Sequence, residues 1–452
     1  MAVLIPPSPD PNALNTVVSD HSANAAEYLE WHSPLDAKGR YLHYDQVKRR
    51  LKAHLDPALI WSVIKSSRNR QLRSIISLGK PKQACRFFLS PTIQRAISET
   101  DRNTTLAHLE WMSAQIGELK HFEYLKNDLE EDEAISSSQL EGAATTTVAA
   151  KEMLKRKRKP RSIDERMILG NFKMMRFAWE KRREPLSLEL ILELHAIGTE
   201  GINDDEYFPG ILRNTNDVRV VDGEGEVVHQ PPPFEGLEER LGMLSDWANQ
   251  SHHDAETKNY VHPLVKAIIL HFAIGYEHPF RDGNGRVARS LFYWYMFKHE
   301  FAAFRYIAIS VLLKSAPIKY GKSYLYTETD DMDLTYFIEY QCEVIIRAIA
   351  AFSSAFEHAL LEIESFNKWL WESGLYRKLD QRQQMIFQIA RARLATRFTA
   401  KSVMENLGCS YNTAAGTLNG LVELKLFSKK KDGRQWIYSL LPSEQIKAGW
   451  AE

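Results

Sequence analysis

Apolar positions recur at helical spacing along most of the chain, and short runs of period two interrupt them in only a few places. Leu264 to Tyr276 is apolar on almost every face and reads as a core helix, with Pro263 at a first-turn position. After a polar break, Val287 to Phe297 resumes the apolar helical pattern. Ser162 to Trp179 sets Met167, Leu169, Phe172, Met174 and Met175 on one helix. Ser187-Leu188-Glu189-Leu190 is a capped start for a second, carrying Ile191, Leu192 and a packed His195. Further helices are expected over Asp45 to Leu55, Pro57 to Lys65, within Thr92 to Leu119, over Glu238 to Trp247, and from Asp333 to about Asn367. Val218 to Val221 and Glu226 to His229 flank a Gly-rich turn and predict a hairpin, which Pro231-Pro232-Pro233 ends. Near the C-terminus three short helices are expected, Gln383 to Ala392, Thr399 to Gly408 and Ser410 to Leu424. A hairpin follows, Leu426 to Ser428 with Gln435 to Tyr438, joined by Lys429-Lys430-Lys431-Asp432-Gly433-Arg434. The fold class is mainly α with small β-hairpins.

The pattern divides into a flexible lead-in over 1–20, rich in Pro, Asn and Ser, a helical extension over 21–129, a core over 130–368 and a small module over 380–442. The basic residues between Arg68 and Arg86, and those from Lys151 to Arg161, read as solvated faces. Trp31, Trp61 and Trp111 read as core or interface aromatics.

Composition narrows the classes. With 452 residues, 44% hydrophobic and 26% charged, the chain can bury a large core and form two or three domains. A formal net charge of zero gives no overall pull toward nucleic acid or membrane, and no run approaches the apolar length of a membrane span. Cys85, Cys342 and Cys409 are too dispersed for a disulfide framework or a zinc pattern. The first residues lack the basic start and apolar stretch of a signal peptide. A reducing, cytoplasmic setting is expected.

The polar break is the chemically dense part: His278-Pro279-Phe280-Arg281-Asp282-Gly283-Asn284-Gly285-Arg286-Val287-Ala288-Arg289. Gly283 and Gly285 let successive backbone N–H groups face one concavity, and the opening of a helix there favours an anion. Arg286 and Arg289 lie three apart, so both guanidinium forks can reach one phosphate chain. Asp282 is a hard oxygen ligand suited to Mg²⁺ beside phosphates. His278 is the nearby group whose ordinary pKa suits proton abstraction near neutrality. The combination points to phosphate-ester chemistry on a nucleotide.

This stretch resembles the signature of the Fic family, His-Pro-Phe-x-Asp/Glu-Gly-Asn-Gly-Arg-x-x-Arg, at every fixed position, and the resemblance extends over roughly residues 130 to 360. It implies a helical Fic core that transfers AMP from ATP to a Ser, Thr or Tyr hydroxyl of a protein. His278 would take the hydroxyl proton, and Asp282 would hold Mg²⁺. Gly283, Asn284 and Gly285 would cradle phosphates, while Arg286 and Arg289 would bind the β/γ end. Gly285 argues against the kinase-like branch, which has lysine there. Tyr324 is the candidate beside the adenine. The hairpin near 218–229 matches the place of the family's flap, which would register a target protein; self-modification and a homodimer are further implications.

Ser137-Ser138-Gln139-Leu140-Glu141-Gly142 offers a serine that can cap a short helix, with Glu141 projecting from it. The stretch resembles the family's inhibitory motif, with Ser137, Glu141 and Gly142 in the matching places and the helix near 136–148. By that resemblance Glu141 would pair with Arg289 and hold activity low. A second implication is removal of AMP from a modified protein, with Glu141 positioning water. Residues 380–442 resemble a winged helix-turn-helix, which serves either as a protein-interaction unit or as a DNA reader. In the latter, Tyr411, Asn412 and Thr413 would enter the major groove and the core would only sense nucleotide.

Overall fold

The computed structural model describes residues 3–116, 131–202, 208–251, 260–391, 397–432 and 435–451. It divides into two compact units, Met1–His108 with Leu129–Ala351, and Leu109–Asp128 with Phe352–Glu452.

The first unit is built around two helices, Pro263–Glu277 and Asn284–Lys298. Their sequences are apolar on nearly every face, which only a helix packed on all sides can satisfy. Every residue of the former except Gly275, and of the latter except Gly285 and Lys298, is accordingly buried. Full burial of a Leu, Ile or Phe contributes about 1.5–3 kcal/mol, so this pair is the most stable part of the unit. Helices Ile163–Glu180, Leu188–Thr199 and Leu237–Asn249 surround it. Ser162 and Ser187 cap the first two by accepting from Glu165 and Leu190 N–H. His262 Nδ1 accepts from Leu264 N–H ahead of Pro263.

The N-terminal region departs from the sequence expectation in three places. Residues 13–20 belong to a helix, not a flexible lead-in: Ala13 and Val17 are inserted into a cluster with Ile60, Trp61 and Val63, and that burial outweighs the polar composition around them. The helix expected from Asp45 to Leu55 is the short Tyr44–Lys48, closed by a capping box from His43. The basic stretch after Arg68 forms an antiparallel hairpin, Arg73–Leu78 with Gln83–Phe87. Arg68 itself is buried, donating to Pro34 O, Leu42 O and Tyr336 Oη and lying 3.7 Å over the Tyr41 ring. A guanidinium with that many acceptors is held inside despite its charge.

The flap hairpin is present but shorter than the pattern suggests, Val220–Val221 with Val227–His229, antiparallel. Helix Thr335–Glu372 contains a window of mean hydropathy 1.5, long and apolar enough by length and composition to cross a membrane, which corrects the reading that no run approaches that length. Of that window 35% is buried in the protein, and Phe337, Ile338, Cys342, Val344, Ile345 and Ile349 are among the buried residues of the helix. All three cysteines are free.

In the second unit, helices Gln381–Arg391, Ala400–Leu407 and Tyr411–Glu423 pack with strands Phe427–Asp432 and Gln435–Leu440 around Phe387, Val403, Leu418, Leu421 and Phe427. Phe398 adds a single bridge to Tyr438. Ala392, Gly433 and Arg434, part of the expected helix and hairpin, lie outside the described residues.

Candidate functional site

The chain leaves the helix Pro263–Glu277 at His278, whose φ of 47° and ψ of 61° turn it sharply. It re-enters helix at Asn284 after Gly283, which has φ of 80°. A side chain at 283 would be strained by that φ and would press on His195 Nε2 at 3.3 Å. Asn284 closes the turn on itself, its Oδ1 accepting from Phe280 N–H at 2.9 Å and its Nδ2 donating to Phe280 O at 2.8 Å. Asn284 thus shapes the loop through its own side chain.

His278 is half-buried, and its Nδ1 faces Gly275 O at 3.2 Å. A carbonyl can only accept, so Nδ1 carries the proton and Nε2 is left with its lone pair. Burial, with the charges of His229 and Arg213, pulls its pKa down to about 4 against the Gly275 hydrogen bond and Glu141, which raise it. The ring is therefore neutral at pH 7, the form a base requires.

Residues that sequence reasoning missed fix this turn. Arg213, buried, donates from Nε to His278 O at 2.8 Å and from Nη2 to Glu277 O and Pro232 O. Its Nη1 reaches Thr215 O, and its N–H donates to Pro279 O. Arg213 thus ties both ends of the flap segment to the backbone on either side of His278. The Glu277 carboxylate accepts from Arg240 Nε and Gly79 N–H, each at 2.8 Å. His195 is the packed histidine expected, but packed against the signature turn: it stacks on Phe280 at 3.7 Å and accepts at Nδ1 from Gly210 N–H. Nε2 therefore donates to Asp282 O at 3.0 Å. Burial holds its pKa down to about 4. His229, at the end of the flap, faces Glu328 Oε2 with Nδ1 and Tyr276 O with Nε2. Burial works to lower its pKa, but the Glu328 hydrogen bond and charge overcome that and raise it. The only sequence signal for these residues was their position just before or after a Gly or Pro break.

The two arginines brace different neighbours, and both also border the glycine turn: Arg286 Nη2 would lie 3.3 Å from a Cβ on Gly283 and Arg289 Nη1 3.0 Å from one on Gly285. Arg286 is buried and donates from Nη1 to Gly198 O at 2.8 Å, bracing the end of helix Leu188–Thr199. Arg289 reaches the other way, to a helix over 131–140. Its Nε donates to Ser137 Oγ at 2.8 Å, and its Nη2 to Ser137 O at 3.1 Å and to Glu141 Oε1 at 2.7 Å. Ser137 is thus inside the helix as an acceptor for Arg289 and not its cap, since the helix begins further upstream. Gly142 follows at φ of 97° and ends it, and Thr147–Lys155 is a separate helix capped by Thr146, so the stretch near 136–148 is not one helix.

A Cβ on Gly285 would collide with Glu141 Oε1 and lie 3.0 Å from Arg289 Nη1. The Glu141 carboxylate therefore rests against the first turn of the signature helix, where unpaired N–H groups and the helix dipole favour negative charge. Arg289 Nη1 is buried with no hydrogen-bond partner among the described residues. Burial opposes the charge of Arg289, but Glu141 holds its pKa above the ordinary value.

Asp282 is half-buried beside this turn, and its Oδ1 accepts from Gly283 N–H. Among the described residues no cluster of three His, Cys, Asp or Glu side chains could cage a metal. Such a donor set fits Mg²⁺, which binds through one or two carboxylates together with substrate phosphates. Tyr324 stacks on Phe272 at 5.2 Å and crowds Gly275, where an added Cβ would be 2.5 Å from its Oη. Gly275, three residues before His278, is also the residue whose carbonyl orients the imidazole.

Residues 185–296 match the Fic/DOC family. A uridine 5'-monophosphate transferase of Xanthomonas campestris is 28% identical over 123 residues, 27% of this chain and 23% of the relative. A protein adenylyltransferase Fic of Nematostella vectensis is 38% identical over 63 residues, 14% of each chain. The similarity thus spans less than a quarter of these relatives' own lengths. A Fic family protein from Desulfovibrio desulfuricans shares the fold, with a TM-score of 0.51 at 19% identity, over 78% of this chain and 96% of that one.

Proposed function

We propose that the Fic-type segment transfers a nucleoside monophosphate, AMP from ATP, to a hydroxyl of a protein and that Glu141 restrains it. The observation that carries this reading is the Glu141 carboxylate on Arg289 and against Gly285, a carboxylate standing where a phosphate would. In the reaction the target hydroxyl oxygen attacks the α-phosphorus. A new P–O bond forms, the bridge to the β-phosphorus breaks, and pyrophosphate leaves. The hydroxyl proton passes to Nε2 of His278, the nitrogen that the Gly275 contact leaves unprotonated. Mg²⁺, when bound by Asp282, would neutralise charge on the phosphates. The N-terminus of the signature helix and Arg289 supply fixed positive charge to the same region. Glu141 competes for Arg289, so a triphosphate seated with Glu141 in place loses one guanidinium fork. The exposed Val221 and Val227 of the flap suit main-chain pairing with an extended target segment.

The test is transfer from α-labelled ATP with Mg²⁺ by wild type, Glu141→Gly and Glu141→Gly/His278→Ala, on the protein itself and on host lysate, with α-labelled UTP in parallel. Label that appears with Glu141→Gly and disappears with the added His278→Ala supports the transferase and its restraint. Label from UTP alone moves the donor to the nucleotide named for the Xanthomonas relative. Absence of label from both donors, in protein that still binds nucleotide, overturns the reading.

A further inference from the structure

The second unit carries a surface that the transferase reading does not use. Thr399 caps helix Ala400–Leu407, Gly408 turns the chain at φ of 62°, and Ser410 caps helix Tyr411–Glu423. Ala414, Leu418 and Leu421 of the second helix face the core. Asn412, Ala415, Gly416 and Asn419 fall at i, i+3, i+4 and i+7 on the opposite side, where Asn412 and Gly416 are exposed and Ala415 is partly buried against the core cluster. From Gly408 to Val422 there is no charged residue, unusual for a helix that faces water. Thr413 is tied to Ser410 in the cap, which leaves exposed Tyr411 and Asn412 at the helix start.

The hairpin that follows is basic. Lys429 pairs with Tyr438 and Lys431 with Trp436, so these four share one face. Lys429 Nζ and Tyr438 Oη both donate to Asn419 Oδ1, at 2.8 and 3.0 Å. Asn419 therefore joins the lysine-bearing face of the hairpin to the uncharged stripe of the helix in one continuous surface. Lys431 and Trp436 are exposed on it, while Lys430, opposite Ile437, is exposed on the other face of the hairpin.

We propose that residues 397–442 are a winged helix-turn-helix whose second helix and basic hairpin bind duplex DNA. The uncharged stripe, with only Ala415 and Gly416 at its centre, permits close approach to the major groove. Asn412 and Tyr411 stand at the helix start, from which base edges are read, and Asn can pair with both N6 and N7 of adenine. The lysines meet phosphates. A protein partner fits less well, because the cores of protein interfaces are depleted in lysine. The chain's zero net charge is no obstacle, since phosphate contacts act locally.

The test uses the full chain and fluorescence anisotropy with a mixed-sequence duplex of about three helical turns, stepped from about 50 to 200 mM salt. Lys431→Ala is compared with wild type, Lys429 being spared because it holds Asn419. Wild type binds with a steep log–log salt dependence. The variant has a slope smaller by about one, so its loss across the salt range is roughly three- to fourfold less. Asn412→Ala keeps the slope and loses base preference in selection from a random pool. Absence of wild-type binding at the lowest salt, or an unchanged slope in a Lys431→Ala variant that melts like wild type, overturns the proposal and leaves the surface to a protein partner.

Discussion

Two sides of the signature turn are held in different ways. Under His278, Arg213 spends its donors on backbone carbonyls, and Glu277 is matched by Arg240 and by a backbone N–H, all buried. On the other side, Arg289 is held by side and main chain of one helix, and its anionic partner Glu141 remains 27% exposed. Backbone acceptors cannot swing away without unfolding a segment, whereas a carboxylate partly open to solvent can. The contrast separates a buried framework from a pairing with one partner at the surface.

The largest effect that would test this contrast comes from the base. In the Glu141→Gly background, His278→Ala should lower labelling by about 10²- to 10⁴-fold, the usual contribution of a positioned general base. Next is the framework: Arg213→Met strands several buried carbonyls and should cost about 3 kcal/mol in denaturant unfolding. Arg213→Lys should recover little of it, because an ammonium cannot span the same acceptors. A smaller, conditional effect is expected on the partly exposed side. Glu141→Gln keeps the shape of the contact but not its charge. It should melt within about 1 kcal/mol of wild type, yet show a larger rise in Tm with saturating ATP, since nucleotide no longer competes with a carboxylate. An equal rise in both proteins would remove Glu141 from the nucleotide site.

The titration of buried histidines gives a broader signature, spread over pH. His43 and His195 are held down to about 4 by burial, below the ordinary 6.5. Their stabilising contribution is complete above pH 6.5 and is lost as pH falls toward 4, on the order of 3 kcal/mol each at the limit. His229 has the opposite sign: its raised pKa contributes stability below 6.5 that is lost as pH rises through the folded value. Unfolding free energy measured across this range should fall on the acid side, and His229→Gln should flatten the alkaline side alone.

What could be read in the chain beforehand follows the range of the forces involved. The caps at Ser162 and Ser187 and the two core helices are local, set by spacing and by side chains a few residues apart. The Glu141–Arg289 pairing was reachable only because a short motif resembled a known one. Arg213 was not legible as internal, and His195 was legible only as packed and not by its partner, because their partners lie 65 and 87 residues away. Arg68 misled for the same reason: a basic run reads as solvated until distant carbonyls and rings supply its environment. The contacts of Asn284 with Phe280, which close the loop, were not read from the sequence.

The hydrogen bond from Gly79 N–H to Glu277 has a bearing on modularity. The N-terminal hairpin, more than a hundred residues before the segment that matches the family, completes the electrostatic shell next to His278. A boundary drawn at the edges of the sequence match would cut through that shell, leaving a carboxylate oxygen without its amide and the base on a looser hinge. The structural unit around the turn is thus larger than the recognisable one, and residues 185–296 moved into another chain would lack part of their support.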